Sequence, residues 1–372
     1  MIVALFPALL SVGGIEMAGR QTAAALAAIA DARGWRYRFL SLNDDKGEHE
    51  AGAGELHFRF HGFDRRKAQF VLAALRIAIA RPKIIFAAHP NLAPIASAMR
   101  LFARDAQVIV GAHGIEVWQP LSRIRRRALS RADTVLAPSS DTAKKLVAVQ
   151  GVPEAKIRRL PWPLDPEVME LARSPEQLPR PPQFPDGKVI LSVGRWAANE
   201  RYKGADLLIQ ALAELSKEFP DAHLVLVGQG DDLTRLQDLA RKSGEAQRVH
   251  FLTQLSRKEL AACYARAELF ALPSTGEGFG LVFLEAMAFG KPIIGTALGG
   301  IPDIVEDGVT GILVDPENPL SLPSALRTLL SNDDLRQRMG RRAGELVRAC
   351  YGFESFKVNL AKALRPGEST VV

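Results

Sequence analysis

The chain has 372 residues, 47% hydrophobic and 24% charged, which excludes a disordered or fibrous protein and predicts two globular domains, since one core seldom grows so large. The formal charge of +7 is uneven: residues 1–170 carry 24 Lys and Arg against 16 Asp and Glu, the remainder 24 against 25. With aromatics at 7% and no recognised nucleic-acid motif, the excess points away from nucleic acid and leaves an anionic membrane surface, a phosphorylated acceptor or a merely solvated basic face.

In chain order, the apolar start at 2–10 lacks a basic leader and a cleavage site, so it reads as a buried first strand rather than a signal peptide. Strand 2–5 runs into Gly13-Gly14 and an alanine-rich helix at 17–32; strands follow at 37–40, 84–87, 108–110 and 134–138, with a helix at 141–150. The apolar segment 70–80 is interrupted by Arg76 and is too short to span a bilayer, so the protein is expected to be soluble and cytoplasmic, at most peripheral on the inner face of the cytoplasmic membrane. Strands alternating with helices imply a parallel sheet covered on both faces. Pro161, Pro163, Pro166, Pro175, Pro179, Pro181, Pro182 and Pro185 then crowd one short segment. Proline fixes φ and removes a donor, which predicts a stiff connector that is neither helix nor central strand. Beyond it, strands at 189–193, 223–227, 249–252, 269–272, 292–295 and 311–314 alternate with helices at 205–218, 233–242 and 258–265. The fold class is therefore α/β with two doubly wound, Rossmann-like domains: residues 1–165, a Pro-rich linker at 166–187, residues 188–352, and a C-terminal helix within 353–372. Such domains bind ligands at the carboxyl ends of their strands, and two facing each other make a cleft. Cys263 and Cys350 have no metal-type spacing and are expected to be buried thiols in a reducing compartment.

Four stretches carry the chemistry. Glu277-Gly278-Phe279-Gly280 follows a strand and precedes a helix starting near Leu281; glycines admit a ligand close to the backbone, and the amides around Phe279, Leu281 and Val282 would form an anion site. Glu285 lies one turn into that apolar helix, within reach of a hydroxyl of the same ligand; the plainer reading is a solvent-facing glutamate. Val193-Gly194-Arg195 and Tyr202-Lys203-Gly204 place two cations where they would hold a diphosphate and neutralise leaving charge, work often given to Mg²⁺. With no Asp-x-Asp in the chain, no metal is expected; the alternative is that both cations pair with Glu200 on a surface loop. His113-Gly114 leaves a strand of the first domain, where a lone histidine is more often structural. Gly13-Gly14 alone specifies a tight turn, while Gly228, Phe251 and Leu252 are weak candidates for contacting a base.

Together these residues resemble the family 4 glycosyltransferases of the GT-B fold, over nearly the whole chain and in the family's order. Gly13-Gly14, His113-Gly114, Arg195 with Lys203, Glu277 to Glu285 as a Glu-x7-Glu element, and Gly299-Gly300-Ile301-Pro302-Asp303 carry the likeness. Asp303 stands where the family more often has glutamate. The resemblance implies that Glu277 contacts donor-sugar hydroxyls, Glu285 the ribose, Arg195 and Lys203 the diphosphate, and His113 the sugar near the reacting carbon, with His113, Arg195, Lys203 and Glu277 as the catalytic set. It also implies a retaining, metal-independent transfer of a hexosyl unit from a UDP-sugar or GDP-mannose, with no cofactor. Domain closure would exclude water, and the tail would cross back to the first domain. The acceptor would be a cell-surface glycan or lipid-linked intermediate. Basic segments Arg65-Arg66-Lys67 and 123–131 would meet anionic lipid, in a protein of polysaccharide biosynthesis. A nucleotide-sugar 2-epimerase and a non-catalytic sugar-nucleotide-binding scaffold are the competing readings.

Overall fold

The computed structural model describes residues 1–11, 13–181 and 183–364. Val12, Pro182 of the Pro-rich segment and residues 365–372 of the expected tail lie outside the described residues. The chain divides into unit 1, Met1–Pro166 with Tyr351–Val372, and unit 2, Glu167–Cys350.

Unit 1 is built on eight strands: β1 (Ile2–Phe6), β2 (Tyr37–Ser41), β3 (Gly47–Ala53), β4 (Leu56–Gly62), β5 (Ile84–Ala87), β6 (Gln107–Gly111), β7 (Thr134–Ala137) and β8 (Ile157–Arg159). They lie in the order β3-β4-β2-β1-β5-β6-β7-β8. β1 is wholly buried and pairs in parallel with both β2, Ile2 opposite Tyr37, and β5, Ile2 opposite Ile84. Burial on both faces explains its continuous apolar run. Helix Gly14–Ala32 covers one face; its buried run Ala23, Ala24, Ala25 and Ala27 lets backbone approach sheet closely. The C-terminal helix Phe353–Ala363 packs on it within unit 1, and the Arg33 guanidinium donates to the Ala361 carbonyl at 3.4 Å.

Three features depart from the sequence reading. The sheet is not wholly parallel, because β3 and β4 form an antiparallel edge hairpin. The pattern is visible in hindsight: Phe58 and Phe60 are buried while His57 and Arg59 are exposed, the alternation of a strand with one wet face. The segment 166–187 is not free of helix. Helix Pro166–Leu171 opens on a proline, whose missing N–H costs nothing in a first turn, and Leu178 packs against Ala261 and Ala262. This anchoring places the segment, from Glu167 on, within unit 2. Finally, Cys263 is buried as expected but Cys350 is exposed, since it ends helix Asp333–Cys350 on its solvent side.

Unit 2 has six parallel strands: β9 (Lys188–Val193), β10 (Ala222–Val227), β11 (Val249–Leu252), β12 (Leu269–Leu272), β13 (Ile293–Thr296) and β14 (Gly311–Val314). Their order is β11-β10-β9-β12-β13-β14. The first strand in sequence thus lies inside the sheet, and the chain winds outward from it in both directions. The order reverses between β9 and β12, and in unit 1 between β1 and β5, so the loops after these strands diverge and leave a crevice at each sheet's carboxyl edge.

Candidate functional site

In unit 2 the crevice is formed by the β9 loop, Gly194 to Gly204, and the β12 loop, Pro273 to Gly280. The two are stitched together: Thr275 N–H donates to the Tyr202 carbonyl at 2.9 Å, and Gly276 lies under the Tyr202 ring, where an added Cβ would come within 2.8 Å of Cδ2. The β9 loop is two short 3₁₀ pieces broken at Glu200 (φ −119°, ψ 26°). That break turns the Glu200 carboxylate inward: it is 8% exposed, with Oε1 on the Arg195 guanidinium and Oε2 3.4 Å from Lys203 Nζ. The pairing weighed above as a surface loop contact is therefore present, with the carboxylate buried, Lys203 half-buried and Arg195 exposed. Lys203 is 15% exposed and Arg195 71%, so one cation is largely enclosed while the other, though paired with Glu200, faces solvent.

Glu277 completes the cluster. Burial raises its carboxyl above the usual range, while Lys203 and a hydrogen bond with Ser274 pull it back. Burial likewise lowers the Lys203 ammonium; Glu277 opposes the shift and Arg195 adds to it. Burial, with the charge of Glu277, raises the Tyr202 phenol. The four groups thus share one electrostatic environment, in which the attraction between carboxylate and ammonium opposes the shift that burial imposes on each. Behind the loop, Gly300 N–H donates to the Glu277 carbonyl at 2.8 Å and Thr296 Oγ1 to the Ser274 carbonyl at 2.5 Å. The Gly299-Gly300 turn therefore backs the glutamate.

Helix Leu281–Ala288 starts directly after Gly280. The first amides of any helix have no intrahelical acceptor and lie at the positive end of its dipole, here at the crevice. Glu285 is half-buried and accepts a 2.7 Å hydrogen bond from the hydroxyl of Tyr264, so it is not the solvent-facing residue of the plainer reading. Tyr264 is fully buried, and its phenol is raised well above its ordinary value by desolvation and by Glu285; it stays a neutral donor that satisfies the carboxylate. Gly194 N–H donates to the Val227 carbonyl at 3.0 Å and Gly228 N–H to Leu252 at 2.9 Å. Gly228, Phe251 and Leu252 thus lie on the successive strand ends beside Arg195, at the same sheet edge.

The sequence candidates of unit 1 gather at its own carboxyl edge. Gly13 caps helix Gly14–Ala32, so Gly14 is its first residue rather than half of a free turn. Preceding backbone is held in place as the Asp44 carboxylate accepts from Leu9 N–H at 2.7 Å and Leu10 N–H at 3.1 Å. His113 follows β6; its Nε2 lies 2.7 Å from the Ala88 carbonyl, which only accepts, so Nε2 carries a proton and in the neutral ring Nδ1 is the acceptor. Nδ1 is buried without a hydrogen-bond partner among the described residues. The ring stacks between His89 (centroids 5.6 Å) and Trp162 (5.1 Å). His89 Nδ1 accepts from Asn91 N–H at 3.1 Å, and its pKa falls to about 4, first through burial and then through His113 and Arg125, with Glu116 opposing.

Unit 2 therefore brings together Arg195, Lys203, Glu277, Gly278, Phe279, Gly280, Leu281, Val282 and Glu285, with Gly228, Phe251 and Leu252 alongside; in unit 1, Gly13 and Gly14 follow β1 and His113 follows β6 at one sheet edge. Tyr202, Ser274, Tyr264, His89 and Trp162 escaped the sequence reading. Tyr202 adjoins Lys203 and was within reach of it, whereas nothing in local spacing connects Tyr264 to Glu285. No group of three or more His, Cys, Asp or Glu arranged to hold a metal occurs among the described residues. No helix among them is long and apolar enough to cross a membrane.

Residues 174–346 match the family described as "Glycosyl transferases group 1" and residues 12–168 that described as "Glycosyltransferase Family 4". The chain is similar to D-inositol 3-phosphate glycosyltransferase of Corynebacterium jeikeium, 41% identical over 163 residues, 42% of this chain and 38% of that one. It is also similar to a GDP-mannose-dependent alpha-(1-6)-phosphatidylinositol monomannoside mannosyltransferase of Mycolicibacterium smegmatis, 33% identical over 63% of each chain. The matched stretch thus spans less than two thirds of either relative. Among solved structures, sucrose-phosphate synthase from Thermosynechococcus elongatus superposes with a TM-score of 0.75 at 24% identity, covering 97% of both chains. HepE of Anabaena, in complex with UDP, gives 0.75 at 21% identity, covering 98% of this chain and 99% of that one.

Proposed function

We propose, on the premise that the chain belongs to the family 4 glycosyltransferases and has the GT-B fold, that it moves a hexosyl unit from a UDP-sugar or GDP-mannose to a hydroxyl acceptor. The observation that carries this reading is the single electrostatic cluster of Lys203, Glu277 and Arg195 beside the start of helix Leu281–Ala288. Lys203 and Arg195 grip the diphosphate, and the first-turn amides complete an anion site. Glu277 accepts hydroxyls of the transferred sugar, and Glu285, with one oxygen on Tyr264, turns to the ribose.

In the transfer, the bond from the sugar C1 to the phosphate oxygen breaks while a bond from the acceptor oxygen forms on the same face, so configuration is retained. The departing phosphate takes the acceptor's proton. Two cations stabilise the charge that develops on it, so no metal or cofactor is needed. His113, an acceptor at Nδ1, meets a hydroxyl near C1. The paired carboxylates of a retaining glycosidase have no counterpart in this scheme. Unit 1 takes the acceptor, a glycan or a lipid-linked intermediate. The protein works in the cytoplasm, bound peripherally to anionic lipid by its basic segments.

The test is incubation with labelled UDP- and GDP-sugars and candidate acceptors, with linkage read by NMR and with and without a metal chelator. Glycosylated product of retained configuration, insensitive to chelation, is expected. An epimer, or binding without turnover, overturns the reading.

A further inference from the structure

Glu200 is a buried carboxylate placed between the two cations that the diphosphate needs. It is 8% exposed, bonded through one oxygen to Arg195 and through the other, at 3.4 Å, to Lys203. An acid there is unfavourable for holding an anionic ligand, since it repels the incoming phosphate oxygens and already occupies the donors they would use. Its placement is fixed by the backbone, through the non-helical turn at Glu200 between the two 3₁₀ pieces and the Glu200 N–H to Ala197 carbonyl bond of 2.8 Å.

We propose that Glu200 is a positioning residue acting as an internal counter-anion: it holds Arg195 and Lys203 in the empty site, yields Arg195 to the diphosphate, and takes it back to speed release of the nucleotide diphosphate. The two cations differ as this requires. Arg195, 71% exposed, can exchange one anion for the other by a side-chain swing, while Lys203, 15% exposed, stays between Glu200 and Glu277. The exchange matters most after transfer, once the proton taken from the acceptor has passed to solvent: the product then carries one more negative charge than the sugar-linked donor, and two unopposed cations would retain it. Glu200 thus exchanges affinity for turnover.

This inference rests on the proposed donor class, and the experiment separates the two. Titration of the wild-type chain with UDP and GDP comes first; if neither binds, the donor reading itself fails. If one binds, E200Q, which keeps the size and one accepting oxygen but removes the charge, should bind that diphosphate about tenfold more tightly. Its kcat and donor KM should both fall, and a phosphatase that removes free product should leave kcat low, because the slow step is dissociation of the bound diphosphate. A residue that only props the loop would behave otherwise: E200Q would then bind the diphosphate equally or more weakly, and that result overturns the proposal. E200D covers the case in which E200Q is unstable. It keeps the charge but is one methylene too short to span both cations, so Arg195 is freed and diphosphate binding should again tighten; unchanged or weaker binding in E200D overturns the proposal as well.

Discussion

His89 shows what one residue's surroundings do to a protonation equilibrium. Burial first, then the neighbouring His113 and Arg125, disfavour its charged form against the opposing pull of Glu116, so it stays neutral down to about pH 4, with Nδ1 accepting from Asn91 N–H. In the unfolded chain it protonates near pH 6.5. Between these values the unfolded state binds more protons, so stability is full above about pH 6.5 and declines as pH falls toward 4. His223 and His250, 3.0 Å apart and both lowered first by burial, act in the same direction. Urea unfolding at pH 7 and pH 5 should show a loss to which His89 contributes up to about 2 kcal/mol, and His89→Asn should shrink the difference. An equal pH dependence in the variant would show that His89 is not the group responsible. Nothing in Ala88-His89-Pro90 announced this, because the perturbing neighbours are distant in sequence. The proximity of Glu277 and Lys203, by contrast, follows from strand exits, those of β9 and β12, that lie side by side in the sheet.

At the scale of elements, the β12 loop depends on the turn behind it. Gly300 donates to the Glu277 carbonyl, and an added Cβ would lie 2.5 Å from the Gly278 oxygen and 2.9 Å from Phe279 Cα, backbone that cannot rotate aside. Gly300→Ala should therefore push Glu277 and the start of helix Leu281–Ala288 out of register, costing about 1–3 kcal/mol of stability and weakening UDP or GDP binding at least tenfold. A variant that melts lower yet binds normally would detach this turn from the site. The alternation of strand and helix made most of these elements legible, and the exits of β6, β9 and β12 were located by it. The hairpin β3–β4 was not, since its strands are polar on one face and close on Gly54-Glu55, a weaker signal than an apolar run. The helix at Pro166 was hidden by the proline count, which marks where a helix cannot continue but not where one begins.

Over the whole chain, the charge asymmetry belongs to surface, not fold. Helix Arg123–Arg131 buries only Ala128 and Leu129 and exposes Arg123, Arg125, Arg126 and Arg127 around Ile124, itself 72% exposed. A helix anchored through so few residues leaves its basic face available, and an arginine near an anionic bilayer contributes about 1 kcal/mol of attraction. Reversing Arg125, Arg126 and Arg127 to glutamate should thus reduce sedimentation with vesicles rich in anionic phospholipid by well over tenfold, and high salt should do the same to the wild type. Neutral vesicles should show little binding by either protein. UDP or GDP affinity should survive the reversal, because the residues assigned to the diphosphate lie in unit 2 and the substitutions in unit 1. Unchanged sedimentation with intact nucleotide binding would mean that the basic face is solvated rather than docked. The net charge of the chain would then bear on solubility alone.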